Sequence, residues 1–302
     1  MTTKTTKTKE MKAVSNKQAH VKSALIATLL YIVLGLAALF VLLPFYIMVS
    51  TSFKSFGEVF QGFTWVPQEP TFDAYINLFG ESPLGLSLPL ATLNTLLYVI
   101  PTNVVGLLTS TLAAYTFAKY DFRGKKWAFS FLMLTMMVPG AVTLMPQYLI
   151  YSNLGWVNTP LPLIIPGMFG AAGTVFFMRQ FIYGIPTELI AAGRVDGLSK
   201  FGAFFRVILP LCVPALLAQF IIGFIAGWND YMGPLIYLAQ VPERYTLQIM
   251  LQSFVEMSGS AIGKNIPAMM AGSTLSVVPL LLIYIFTQKY FLSGIAVSGM
   301  KA

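Results

Sequence analysis

Residues 127–178 read WAFSFLMLTMMVPGAVTLMPQYLIYSNLGWVNTPLPLIIPGMFGAAGTVFFM, without a single Asp, Glu, Lys or Arg. As one helix this stretch would extend about 78 Å at about 1.5 Å per residue. The hydrocarbon core of a bilayer is only about 30 Å thick. The stretch also carries its own turn chemistry, Ser152-Asn153-Leu154-Gly155 and Asn158-Thr159-Pro160, in which Asn, Gly and Pro favour a reversal. It predicts two membrane spans joined by a short hairpin.

Four further stretches lack charge, 23–53, 82–118, 207–229 and 265–288, and each suits one span. A helix needs roughly 20 apolar residues to cross. The last two are just long enough, and 82–118 has surplus. Six helices follow, at 24–50, 89–117, 128–150, 160–181, 208–228 and 267–288. With 56% hydrophobic and 10% charged residues, the chain has too little charge to cover a soluble surface of this size. The expected fold class is all-α integral membrane, with six transmembrane helices.

Orientation follows from Lys and Arg, which accumulate on the cytoplasmic side. With the N-terminus inside, the inner segments are 1–23, 118–127, 179–207 and 289–302. Lys119, Arg123, Lys125 and Lys126 fall in one of them, and Arg179, Arg194, Lys200 and Arg206 in another. Only Lys54, Arg244 and Lys264 would lie outside. Both termini are therefore expected in the cytoplasm. The same distribution accounts for a net charge of +8 without nucleic acid as a partner. Membrane lipid is the expected neighbour.

Residues 1–23, rich in Thr and Lys, are expected to form a disordered cytoplasmic tail. Residues 24–288 form the six-helix domain, and 289–302 a second cytoplasmic tail. The first apolar stretch is too long for a signal-peptide core and lacks a small-residue cleavage site, so retention is expected. Cys212 is the only cysteine, and the only histidine, His20, sits in the polar tail. The outer loop from Thr51 to about Leu88 holds Trp65-Val66-Pro67, Tyr75 and Phe79. It either lies at the headgroup level or binds a partner. Pro101, Pro139, Pro166 and Pro279 fall within or near spans, where proline kinks a helix. Gly223-x-x-x-Gly227 permits close helix packing.

The spans contain no internal Asp, Glu, Lys or Arg, which argues against proton or sodium coupling. No internal duplication is evident, which weighs against a carrier built from inverted repeats. The segment Gly259-Ser260-Ala261-Ile262-Gly263-Lys264-Asn265 has the wrong glycine spacing for a phosphate loop and no Ser or Thr after its lysine. Neither a Ser/His/Asp set nor a His/Cys metal spacing exists. The chain is therefore not expected to be an enzyme, and energy from ATP would have to enter through another subunit.

One inner loop, residues 185–210, is the most informative stretch. It reads as two short helices with a break. Thr187 is placed to cap the first, and Glu188 suits its positive end. Ala191, Ala192 and Gly193 leave a face on which another surface can pack closely. Asp196-Gly197 makes the turn, and Ser199 caps the second helix. Leu198, Phe201, Phe205 and Ile208 are expected to form an apolar stripe at helical spacing. Such a loop either lies on the membrane or docks a cytoplasmic partner.

Pro186-Thr187-Glu188-Leu189, then Ala191-Ala192-Gly193-Arg194-Val195-Asp196-Gly197, then Phe204 and Ile208-Leu209-Pro210, resembles the cytoplasmic coupling motif of ABC-importer permeases. More specifically, it is similar to the carbohydrate-uptake, maltose-type branch of type I inner-membrane permeases. The resemblance runs from about residue 25 to the end. It includes Asn94-Thr95, Ala114-Tyr115, Phe122-Arg123-Gly124, Trp228-Asn229-Asp230, Thr246-Leu247 and the tail from Gln288 to Lys301. It implies a multi-pass protein of the prokaryotic cytoplasmic membrane, forming half of a sugar path. Loop 185–210 would insert into a cytoplasmic ATPase dimer through Glu188, Ala191, Ala192, Gly193, Arg194, Asp196 and Gly197. A second permease subunit and an extracytoplasmic sugar-binding protein are implied as partners. This chain would bind no cofactor, ATP and magnesium residing on the ATPase. Ala191 stands where the family usually has Glu, so docking would lean on Asp196, Arg194 and apolar packing.

A permease for a non-sugar solute is the alternative, and a stand-alone channel or carrier a further one. Asn94, Tyr98, Gln147, Asn229 and Tyr231 are candidate substrate contacts, because sugars bind to aromatic faces and to amide or hydroxyl groups. A packing or interface role suits each of them better.

Overall fold

The computed structural model describes residues 3–80, 85–256 and 266–299. The glycine-rich segment 259–265 therefore lies outside the described residues. All regular structure among the described residues is helical, with no strand.

Helix α1 (Thr3–Ser52) begins well before its apolar part at Ala24. The tail expected to be disordered is thus helical from Thr3. No Gly or Pro interrupts the chain before Gly35, and its Ala, Lys, Met, Glu and Gln residues are good helix formers. Within Ala24–Ser52 the most apolar window has no residue buried inside the chain. Phe40 is 78% exposed there. A helix apolar on all sides that stays this exposed while packing mainly against the last helix, Ile266–Gly299, over part of its length belongs in lipid.

A compact loop with a 3-10 turn at Glu58–Phe60 and helix α2 (Asp73–Phe79) leads to α3 (Leu88–Lys119), the central helix of the bundle. Next come α4 (Lys125–Thr135) and α5 (Gly140–Asn153). One span was expected over 128–150, with Pro139 placed to kink it, and the two helices meet at 97°. Pro139 lacks an N–H and disfavours the helical region for Val138. The end of α4 therefore tightens into i→i−3 bonds, Met137 N–H donating to Leu134 O at 3.0 Å.

Helices α6 (Leu161–Met168) and α7 (Ala172–Tyr183) form the next span, interrupted where Gly170 takes a φ of +93°. The loop helices α8 (Thr187–Val195) and α9 (Lys200–Ala203) run into a π turn at Phe204–Ile208 and the short α10 (Leu209–Leu211). Helix α11 (Val213–Trp228) leaves this segment at 78°. The single helix expected over 208–228 is thus broken at Cys212, because Pro214 has no N–H to continue the preceding ladder. Helix α12 (Met232–Tyr237), a 3-10 turn at Pro242–Arg244, α13 (Leu247–Glu256) and α14 (Ile266–Gly299) complete the chain.

Among the described residues four helices, Ala24–Ser52, Leu88–Lys119, Leu161–Tyr183 and Ile266–Gln288, are each long and apolar enough to cross a bilayer. The count reaches six when each bent pair, α4 with α5 and 200–211 with α11, is taken as one span. Two apolar clusters divide the bundle along α3. One joins Leu78, Ala91, Val99, Phe224, Trp228 and Met250. The other joins Tyr115, Met178, Ile182, Ile190, Phe204 and Ile208 at the end rich in Lys and Arg. Gly227 and Gly223 let α11 approach α3, where added Cβ atoms would meet Val99 at 3.0 Å and Asn103 at 2.3 Å.

Candidate functional site

At the basic end, α8 stops at a Schellman turn built by Asp196-Gly197-Leu198. Gly197 has φ +83°. Its N–H donates to Arg194 O at 3.1 Å, and Leu198 N–H to Gly193 O at 2.9 Å. These two bonds satisfy carbonyls that the helix end would leave open. Leu198 then folds back onto Gly193, whose added Cβ would stand 3.1 Å from Leu198 Cδ1. The expected Asp-Gly turn is therefore present, and Gly193 is small for a packing reason.

Ser199 caps α9 as expected, its Oγ accepting from Gly202 N–H at 3.0 Å. Thr187 does not cap α8. Pro186 occupies the N-cap with φ −58°, which leaves Thr187 inside the first turn with no capping bond. The apolar stripe also differs from expectation. Phe201 and Phe205 are exposed, while Ala203, Phe204 and Ile208 are buried. The π turn at Phe204–Ile208 adds a residue to the helical repeat and rotates Phe204 inward in place of Phe205.

Ile190 and Gly193 face inward on α8. Glu188, Ala191, Ala192, Arg194 and Asp196 lie exposed on its other faces, as does Gly197 in the turn. Val195 is 87% exposed. The exposed faces of α8 thus carry small and apolar residues flanked by both charge signs. The loop is held firmly from behind. Lys119 at the end of α3 donates its Nζ to the carbonyls of Ile185 and, at 3.4 Å, Tyr183. Tyr115 and Tyr120 share a hydroxyl bond of 2.7 Å, and the Tyr115 ring packs against Phe204 at 5.5 Å. Arg179 on α7 lies over the Phe129 ring of α4 at 4.3 Å. These contacts tie the segments that flank α8 to the ends of α3 and α7.

At the opposite end, α3 clamps the segment 243–247. Asn94 Nδ2 donates to Glu243 O at 2.9 Å and Tyr245 O at 3.0 Å. Tyr98 donates its hydroxyl to Arg244 O at 3.0 Å. Leu247 N–H donates to Thr95 Oγ1 at 2.9 Å, which starts α13. Asn94 and Tyr98 are both buried, with these donors engaged. Replacing Asn94 by Ala should lower the unfolding temperature in detergent. Two part-buried carbonyls lose their donor, at about 1 kcal/mol each. A raised KM for uptake with unchanged melting would instead mark Asn94 as a solute contact.

Gln147 on α5 is exposed, contacting Thr143 Oγ1 at 3.4 Å and Tyr237 hydroxyl at 3.5 Å. Asn229 donates back to Ile225 O at 2.9 Å. Tyr231 precedes α12 and is half-buried. Asn94 and Tyr98 thus bond to segment 243–245, while Gln147 and Asn229 bond to Thr143, Tyr237 and Ile225.

The first outer loop folds on itself. Lys54 and Glu58 are buried; Lys54 Nζ donates to Thr64 O at 2.6 Å, and Glu58 Oε1 accepts from Thr64 hydroxyl and Gln68 N–H, each at 2.9 Å. Burial pushes the Glu58 carboxyl up, but the hydrogen bonds from Gln68 and Thr64 outweigh it and leave its pKa below the ordinary value.

Sequence reasoning missed a cavity of about 270 Å³ between α3, α6–α7 and α11. Asn103, Ser110, Thr174 and Gln219 supply polar lining, with Gly106, Gly167 and Gly223 opening the space. The α6–α7 break borders it. Ser110 Oγ accepts from Ala171 N–H at 3.0 Å, and Thr109 donates to Met168 O at 2.8 Å. A signal was present in the sequence, since Gln219 is the one amide side chain in the apolar run 213–228.

Residues 106–297 match the model of the family described as binding-protein-dependent transport system inner membrane component. The chain is 32% identical over 282 residues to the arabinooligosaccharides transport system permease protein AraQ of Halalkalibacterium halodurans, covering 92% of this chain and 98% of that one. It is 29% identical over 264 residues to the lactose transport system permease protein LacG of Rhizobium radiobacter, covering 87% and 93%. In fold it is similar to a chain in the crystal structure of a bacterial ABC transporter involved in the import of the acidic polysaccharide alginate. The TM-score is 0.77 at 24% identity, over 88% of this chain and 96% of that one. With its interrupted apolar spans and exposed, firmly backed α8, the chain belongs to the binding-protein-dependent transport system inner membrane component family, as a permease of an ABC importer.

Proposed function

We propose that this permease forms half of the path of an ATP-driven importer for sugars or oligosaccharides, and that α8 docks into a cytoplasmic ATPase dimer. The observation that carries the docking is the exposed face of α8, with Ala191, Ala192 and Val195 outward while Lys119 and the Gly197 turn hold the helix in place. The sugar class rests on the names of the relatives, a permease for arabinooligosaccharides and one for lactose. Loop 185–210 then lies in the cytoplasm with both termini, as the Lys and Arg distribution favours. A second permease completes the path, and an extracytoplasmic binding protein delivers solute. ATP and magnesium are bound by the ATPase, whose closure pulls on α8 and through it on α3 and α7.

Reconstitution in liposomes tests this. With ATPase, second permease and binding protein present, ATP should drive uptake of arabinotriose or lactose. Uptake by this chain alone, without any ATPase, would refute the coupling. Asp196→Ala probes the docking surface itself. Asp196 is exposed at the end of α8, and its loss should reduce co-purification of the ATPase by roughly two- to tenfold, as removal of a charged interface contact does. Undiminished co-purification would limit Asp196 to a helix-end role.

A further inference from the structure

We infer that the first outer loop, residues 53–72, is a membrane-interface anchor that seats Phe60, Phe63, Trp65 and Val66 among phospholipid headgroups and upper acyl chains, beside the lipid-facing surface of α1. The loop inverts the arrangement expected in water. Its charged side chains before Glu69 are Lys54 and Glu58, each 5% exposed and bonded to partners inside the loop. Phe63 is 62% exposed, Trp65 and Val66 are also more than half exposed, and Phe56 and Phe60 nearly half. A loop bathed in water exposes its charges and covers its rings. A contiguous patch of exposed rings marks contact with a membrane or another protein.

The height of this patch along α1 points to lipid. A hydrocarbon core about 30 Å thick takes about 20 helical residues. Counted from Ala24, where the apolar part of α1 begins, these reach Pro44. Tyr46 and Ser50 stand within the next two turns, and both donate their hydroxyls to the carbonyl of Trp65, at 2.9 and 2.8 Å. Trp65 is thus pinned at headgroup height. Its ring lies 6.4 Å from that of Tyr46, and Phe63 meets it edge-on at 4.8 Å. Trp and Tyr gather at this level in membrane proteins because an apolar ring with one polar end suits the boundary. Loop and helix also share one surface. Ile47 and Thr51 of α1 line a groove of about 400 Å³ together with Phe60 and Phe63. The exposed Phe45 and Tyr46 continue that surface toward the lipid-facing part of α1.

The test is electron paramagnetic resonance of the assembled importer in proteoliposomes. Cys212→Ala removes the one native thiol of the chain, and a nitroxide is attached at Phe63→Cys or, separately, at Val66→Cys. The second position leaves the Phe63 and Trp65 rings in place, so loss of one ring does not decide the outcome. Oxygen concentrates in hydrocarbon and a nickel chelate in water, and the ratio of their collision rates with the label reports its depth. Lipids carrying the nitroxide on the headgroup or at successive acyl carbons calibrate the scale. Both positions should read about 5–10 Å into the boundary between headgroups and acyl chains. Ratios on the water side of the headgroup standard would overturn the anchor. Weak collisions with both reagents would show the patch covered by protein, either the second permease or the binding protein, and would overturn it equally.

Discussion

Gly197→Val is expected to reduce ATP-driven uptake to about a tenth of the parent or less, while the protein remains in the membrane. At φ +83° an L-residue places its Cβ against its own backbone, at about 1–2 kcal/mol, and a β-branched side chain fits that region worst. A tenfold loss corresponds to about 1.4 kcal/mol. The space around Gly197 is open, with nothing within 4 Å of an added Cβ. The penalty is therefore one of backbone conformation rather than collision, and the chain relieves it by abandoning the turn. Both closing bonds, to Arg194 O and Gly193 O, go with it, and Leu198 leaves Gly193. The end of α8 then loses the position that the docking proposed for it requires. Gly197→Asn should be milder, because Asn tolerates this region. Uptake and solute-stimulated ATP hydrolysis in proteoliposomes measure the effect. A valine variant with parental values in both would show that the turn is not needed for coupling.

Gly106→Ala is expected to destabilise the bundle, although alanine is the better helix former. An added Cβ on Gly106 would stand 2.3 Å from the carbonyl oxygen of Gly167. That atom belongs to the backbone of α6 and cannot rotate away as a side chain would. Helices α3 and α6 must separate, and overpacking of this kind costs about 1–3 kcal/mol. Gly35→Ala is the matched comparison, since nothing lies within 4 Å of its added Cβ. Relief of glycine's conformational freedom should leave that variant neutral or more stable, by up to about 1 kcal/mol. Thermal unfolding in one detergent should thus move the two alanine variants in different directions. A Gly106 variant that melts with or above the parent would show that α3 and α6 yield at their crossing.

Much of the architecture was legible in the sequence because a bilayer imposes a simple demand. Stretches without charge must be helices about as long as the hydrocarbon is thick, and 23–53, 82–118 and 265–288 have no other outcome. The paired spans in 127–178 follow from the same length argument together with Asn158 and Pro160. Loop 185–210 was legible because the Asp196-Gly197 turn and Ser199 act on neighbouring backbone. The bends were less so. Pro139 and Pro214 announce a break but not an angle, and 97° and 78° are set by what each half packs against. The face of the loop segment was misjudged because a π turn adds one residue to the repeat, which composition does not encode.

The five charge-free stretches, their basic flanks and the Asp-Gly turn were thus determined by the sequence alone, since each depends on solvent preference or on bonds within a few residues. Tertiary structure alone decided which polar side chains are engaged. Asn94 and Tyr98 lie one turn apart on α3, yet their partners are backbone carbonyls near residue 244, about 150 positions away. Asn103, Thr174 and Gln219 come from three separate helices and meet at one cavity only because glycines at 106, 167 and 223 let those helices approach. Contacts between distant segments depend on how helices cross, and no local pattern in the chain specifies that crossing.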